Sequence, residues 1–133
     1  MTDLVFFYGT LMSGFKRRGR SAIDAELQVE GRGSISAALF DLGIYPAAIP
    51  AGDSRVWGEI HRMRDTTHVL DALDEIEGYR PGTPDASLYT RVETPVTFDD
   101  GRVATVWVYF YNAPLGRAQR IASGDYLEHL RVK

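Results

Sequence analysis

Apolar and polar residues alternate along several stretches of the chain in patterns that predict strands. A short apolar run at residues 4–8 ends at a glycine, which is typical of a buried first strand. Residues 88–98 and 103–111 alternate well and flank Asp99-Asp100-Gly101-Arg102, so they predict a hairpin with an Asp-Gly turn. Further strands are predicted at about 26–30, 34–41 and 55–63.

One amphipathic helix stands out from these strands. Asp65 and Thr66 are suitable caps for a helix from about 67 to 77, which Gly78 would end. A second, short helix is predicted to start at Asp125 and to be capped near Ser123.

Prolines and glycines mark the predicted loops. Residues 43–50 contain two prolines and are expected to form an irregular apolar loop. Residues 12–24 are expected to run over the surface into a helical turn near Ser21, and residues 79–87 to form another loop. Pro95 cannot donate to a ladder, so we expect it at a bulge or a sheet edge.

This order of elements favours an α+β fold. Strands and helices do not alternate regularly, which argues against a doubly wound parallel sheet. We predict a curved, mostly antiparallel sheet that closes into a small barrel. A chain of 133 residues is expected to form one domain spanning 1–133.

The amino-acid composition excludes several kinds of functional site. The chain has no cysteine, so thiol nucleophiles, disulfides and cysteine metal sites are excluded, and a cytoplasmic location is expected. The net charge of −3 indicates no general nucleic-acid surface. No signal peptide and no membrane span are predicted. Three scattered histidines show no ligand-like pairing, so we predict no metal and no cofactor.

The predicted helix carries one acid on its apolar side. A helical wheel places an apolar arc around Val69, Leu70, Ala72, Leu73 and Ile76. Asp71, Asp74 and Glu75 fall mostly on the far side and are expected to be solvated. Glu77 falls at about 80° from Val69, between Leu73 and Leu70. A partly desolvated glutamate can exchange a proton near neutrality, but the last residue of a helix can also curl out to water.

The first turn has two interpretations. Gly9 and Gly14 have the spacing of a phosphate loop, but Phe15 precedes Lys16 and no Ser or Thr follows it. The basic residues from Lys16 to Arg20 are instead expected to form a solvated loop. Alternatively, the turn forms a nest of main-chain donors for a carboxylate or an oxyanion.

Taken together, these motifs resemble the gamma-glutamylcyclotransferase-like family. The resemblance rests on their order: "YGTL" at 8–11, "YPA" at 45–47, "WGEI" at 57–60, "LDEIEG" at 73–78, "LYTR" at 88–91 and "VYFY" at 108–111. It covers most of residues 4–126. Residues 79–87 form a longer loop than the family's shortest members need.

The resemblance implies a small mixed barrel with flanking helices and a pocket at its mouth. It implies that Tyr8, Gly9, Thr10 and Leu11 hold a substrate, largely through main-chain groups, and that Glu77 is the catalytic acid and base. The implied reaction cyclises a gamma-glutamyl amine or gamma-glutamyl peptide to 5-oxoproline with release of the amine. Glu75 should be inert.

Several interpretations remain open at this point. Tyr89 and Tyr109 are candidates for the pocket wall, while Arg91 either joins them or pairs with an acid across the sheet. Tyr8 is alternatively structural, with its hydroxyl bonded to a strand carbonyl. The expected partner is a small gamma-glutamyl substrate, with no nucleic acid or membrane, and the expected assembly is a monomer or weak homodimer. A non-catalytic module that binds an amino-acid-like ligand is the alternative function.

Overall fold

The computed structural model describes residues 2–12 and 20–131, in which five strands close into a barrel. The strands are β1 (Leu4–Phe7), β2 (Leu27–Asp41), β3 (Pro46–Met63), β4 (Tyr89–Phe98) and β5 (Val103–Tyr111). They lie in the order β3-β1-β5-β4-β2, and the pairing of β2 with β3 closes the circle. A two-residue strand, β6 (Gln119–Arg120), pairs with the end of β2.

The barrel is mixed, as predicted. β1 runs parallel to β5, and every other pairing among the described strands is antiparallel. All four residues of β1 are buried because it lies between two neighbours with both faces covered. The chain is therefore fixed at the point where β1 ends and the first turn begins.

The hairpin of β2 and β3 is longer than the sequence predicts. The expected strands at 26–30 and 34–41 are one strand, interrupted by a register shift between Val29 and Gly31. The expected loop at 43–50 is wrong from Pro46 onward, where β3 begins. Pro46 is tolerated because it is the first residue of the strand, and Pro50 because it lies at the second register shift.

The amphipathic helix α1 spans Thr66–Glu77, close to its predicted bounds. The Asp65 side chain caps it by accepting a hydrogen bond from the His68 N–H at 3.2 Å. Gly78 ends it with a left-handed φ of 70°, and the Tyr79 N–H bonds the Asp74 carbonyl at 2.8 Å. Neither helix within the described ranges has the length and apolar character needed to cross a membrane.

The remaining predictions hold in outline. The hairpin of β4 and β5 is confirmed, and Pro95 lies on a part of β4 that pairs with β5 alone, as at an edge. Arg20–Ala22 forms a short 3-10 turn, as expected near Ser21, whereas residues 13–19 of the predicted loop lie outside the described residues. The last helix, α2, spans Tyr126–Arg131.

Two local details complete this outline. The cap of α2 is Asp125, whose carboxylate accepts the Leu127 N–H at 3.0 Å, and not Ser123. Loop 79–87 contains a 3-10 turn, Pro84–Ala86. The side chain of Asn112, just after β5, donates to the carbonyls of Pro84 and Ser87 and thereby anchors this loop.

Candidate active site

The first turn is shaped by contact with the start of β3. The Met12 N–H donates to the Gly9 carbonyl at 3.0 Å and closes a turn directly after Tyr8. A Cβ atom on Gly9 would lie 2.6 Å from Cγ of Pro46, closer than real Cβ contacts allow. Glycine is therefore required here for close packing, and its φ is not positive.

Tyr8 fastens this turn to the barrel. Its hydroxyl donates to the Tyr109 carbonyl at 2.6 Å and accepts the Ala48 N–H at 3.3 Å. The structural alternative for Tyr8 is thus confirmed, although the residue also lines the cavity described next.

A cavity opens beside the turn and brings the predicted site residues together. Including its solvent-open mouth, it encloses about 350 Å³ of empty space. Its lining includes all seven predicted site residues: Tyr8, Gly9, Thr10, Leu11, Glu77, Tyr89 and Tyr109. Among the described lining residues, Glu77 has the one charged side chain. Glu77 is half-buried and does not curl away from the barrel.

The far wall and rim are aromatic. The Tyr89 hydroxyl donates to the Pro46 carbonyl at 3.2 Å, and the Tyr89 ring lies 6.3 Å from that of Tyr45 and 5.3 Å from that of Tyr111. Tyr45 and Pro46 line the cavity as well. These rings make much of the wall apolar, and Glu77 supplies its charged group.

The Asp74 side chain is buried, and the sequence-based expectation that it is solvated is wrong. It is only 6% exposed and lies on the same side of α1 as Glu77, three residues before it. The Tyr109 hydroxyl donates to Asp74 Oδ1 at 2.6 Å, and Arg91 donates through Nε at 2.8 Å and through a terminal nitrogen at 3.1 Å. Arg91 therefore pairs with the helix and not with an acid across the sheet.

The hairpin register provides a signal that sequence reasoning missed. Arg91 and Tyr109 are directly opposite each other on β4 and β5. This register is one position away from the one that the predicted connection at 99–102 implies, and it brings the two donors side by side. The Arg91 guanidinium also lies over the rings of Trp107, at 4.7 Å, and Tyr79, at 5.6 Å.

The pKa shifts in this cluster follow from burial and from the two carboxylates. Burial raises the pKa of Tyr109 far above its ordinary value, and the hydrogen bond and charge of Asp74 raise it further. The charge of Glu77 also raises the pKa of Tyr109. Burial would lower the pKa of Arg91, but its bond to Asp74 leaves that pKa raised. Tyr109 is a neutral phenol at neutral pH.

Arg20 binds the first turn, although the sequence predicts that it lies in a solvated basic loop. It is buried, its Nε donates to the Leu11 carbonyl at 3.1 Å, and it forms an ion pair with Asp24. Burial lowers the pKa of Arg20. Lys16, the first residue of that predicted basic loop, lies outside the described residues.

Comparisons with known proteins agree with this architecture. The family described as "Gamma-glutamyl cyclotransferase, AIG2-like" matches residues 5–128. The chain belongs to this family. It is 32% identical over 128 residues to the gamma-glutamylcyclotransferase family protein YtfP of Escherichia coli K12, covering 93% of this chain and 96% of that protein. The resemblance inferred from the motifs is confirmed.

Solved structures support the fold. An uncharacterised protein from Pyrococcus horikoshii is similar with a TM-score of 0.66 and 23% identity, covering 98% of both chains. A mouse AIG2-like protein is similar with a TM-score of 0.61 and 20% identity, covering 84% of this chain and 79% of that one. These likenesses confirm the mixed α+β barrel of the gamma-glutamyl cyclotransferase, AIG2-like family.

Proposed function

We propose that the protein cyclises a gamma-glutamyl amine or gamma-glutamyl peptide to 5-oxoproline and releases the amine, with Glu77 as general base and then general acid. The observation that carries this proposal is the shared cavity: the first turn and the end of α1 are far apart in the chain, yet both line it. Membership of the family supports the same reaction class.

The reaction requires a folded substrate and the transfer of two protons from the attacking nitrogen to the leaving nitrogen. The α-ammonium of the gamma-glutamyl group gives a proton to Glu77, and the freed amine attacks the γ-carbonyl carbon. A carbon–nitrogen bond forms, which closes the five-membered lactam, and the bond from the γ-carbon to the leaving nitrogen breaks. Glu77 returns its proton to that nitrogen. It then takes the second proton that the ring nitrogen must lose and passes it to the released amine, which leaves as an ammonium. Such a transfer by one positioned carboxyl group contributes about 10²–10⁴-fold to the rate.

The cavity is suited to the rest of this task. Main-chain N–H groups of the Gly9–Leu11 segment would hold the α-carboxylate or the tetrahedral oxyanion. The aromatic walls formed by Tyr45, Tyr89 and Tyr109 would limit the space available to an extended chain. A substrate bent toward its cyclic shape gains rate because the amine and carbonyl are already oriented.

A substrate panel tests this proposal. Gamma-glutamyl dipeptides, gamma-glutamyl amines, the gamma-glutamyl-ε-lysine isopeptide and glutathione are incubated with the protein, and 5-oxoproline is measured by mass spectrometry. We expect turnover of at least one compound and loss of that turnover in Glu77→Gln. Glu75→Gln is the matched control, because Glu75 lies on the same helix but is exposed. Activity that survives Glu77→Gln would refute the role of Glu77, and binding without turnover would identify a non-catalytic module.

A further inference from the structure

Asp74 is not part of the cavity wall, yet it is bonded to a residue that is. As a carboxylate it can only accept hydrogen bonds, so the bond between Asp74 and Tyr109 must carry the phenol's proton. Arg91 occupies both carboxylate oxygens and fixes the plane of the group. The direction of the Tyr109 hydroxyl is thereby set by Asp74.

This direction decides what Tyr109 can offer to a bound molecule. A phenol has one proton, and here that proton points to Asp74, which is not among the residues that line the cavity. The Tyr109 oxygen can therefore only accept a further hydrogen bond. Tyr109 and Glu77 both line the cavity, and Asp74 and Glu77 lie on one side of α1.

We infer that Asp74 is a positioning residue, which holds the Tyr109 proton so that Tyr109 and Glu77 together present two acceptors to the α-ammonium of the ligand. This inference rests on the proposed function. After the ammonium loses one proton to Glu77, Tyr109 still accepts one of the two remaining N–H bonds. The lone pair of the amine is then left to face the γ-carbonyl, while Tyr109 keeps its own proton throughout.

A double-mutant comparison tests whether Asp74 acts through Tyr109. We measure kcat and KM for Tyr109→Phe, Asp74→Asn and the double variant on a substrate that the wild-type protein turns over. Each single change should lower kcat/KM by about tenfold to a hundredfold, the effect of one lost hydrogen bond to a charged group. The double variant should be no slower than Tyr109→Phe. The inference would be overturned if the fold-losses of the two single variants multiplied in the double variant. It would also be overturned if Asp74→Asn left kcat/KM unchanged.

A matched control separates positioning from general loss of structure. Asp41 is another carboxylate of low exposure, paired with His129 at 2.8 Å and outside the cavity lining. Asp41→Asn should lower stability without changing kcat/KM of the folded fraction. If it reduces kcat/KM as strongly as Asp74→Asn, the effect of Asp74 is structural.

Ligand binding gives a readout that does not require turnover. The protein is labelled with tyrosine carrying 13C at Cζ, and the Tyr109 signal is assigned by its loss in Tyr109→Phe. L-glutamine, which has an α-ammonium, should shift this signal, whereas N-acetyl-L-glutamine should not. Equal shifts from both compounds, or none from either, would overturn the inference. If no gamma-glutamyl compound is turned over, the proposed reaction fails, but repeating this comparison in Asp74→Asn, where the shift caused by L-glutamine should be lost, still decides the role of Asp74.

Discussion

Removing the Tyr109 hydroxyl should change how stability depends on pH. In the folded protein, burial and the Asp74 bond keep the pKa of Tyr109 above its ordinary value, so the phenol stays protonated. In the unfolded chain its pKa is about 10. Below pH 10 both states hold the proton, and above it only the unfolded state loses it. The free energy of unfolding therefore falls as pH rises, and this one group accounts for about 1.4 kcal/mol by pH 11.

Tyr109→Phe removes this dependence together with one hydrogen bond. At pH 8 the variant should be about 2 kcal/mol less stable, because a bond to a charged acceptor is lost. At pH 11 the gap should narrow by about 1.4 kcal/mol, since phenylalanine does not titrate.

Urea denaturation of both proteins between pH 8 and pH 11, followed by circular dichroism, measures the gap directly. The other titrating groups are common to both proteins and largely cancel in the difference. A gap that stays constant with pH would show that Tyr109 is not held protonated as the structure indicates, and a gap that widens would reverse the sign of the argument.

Two further substitutions test the supports of the site. Arg91→Met should lower the free energy of unfolding by about 3 kcal/mol, because it leaves a buried carboxylate without its cation. Arg102→Met, which breaks an exposed pair, should cost much less in the same denaturation assay, and equal losses would contradict the burial argument. Gly9→Ala should cost about 1–3 kcal/mol and reduce turnover, because its methyl group would displace Pro46 from the cavity wall. Gly52→Ala is the control in open space, and a Gly9→Ala protein as stable and active as this control would show that the contact is not tight.

Much of the fold could be predicted from the sequence because the features concerned depend on residues that are close together in the chain. The cap at Asp65, the left-handed Gly78 and the Asp-Gly hairpin each depend on residues close in sequence, and each lies at or next to its predicted place. The start of β3 was missed because prolines argue against regular structure. Pro46 is accommodated because it is the first residue of β3, where it pairs with Asp41 across a tight connection.

The residues of the candidate site also differ in whether the sequence alone could predict their positions. Glu77 could be selected from the helical wheel, since its inward position is a property of α1 alone. The helical wheel predicts a solvated Asp74 because it contains no information about β4 and β5. These strands bring Arg91 and Tyr109 over that side of the helix. Arg20 was missed for a similar reason: its neighbours in sequence are basic, but its partner is the Leu11 carbonyl of the first turn.

The central claim is that the substrate's own amine, and not water, attacks the γ-carbonyl with Glu77 moving the proton. The most direct measurement is mass spectrometry of the product formed in H₂¹⁸O from a substrate identified in the panel. The account predicts 5-oxoproline without ¹⁸O from the wild-type protein and none from Glu77→Gln. Glutamate, or 5-oxoproline that has gained ¹⁸O, would show that water attacks and would contradict the account.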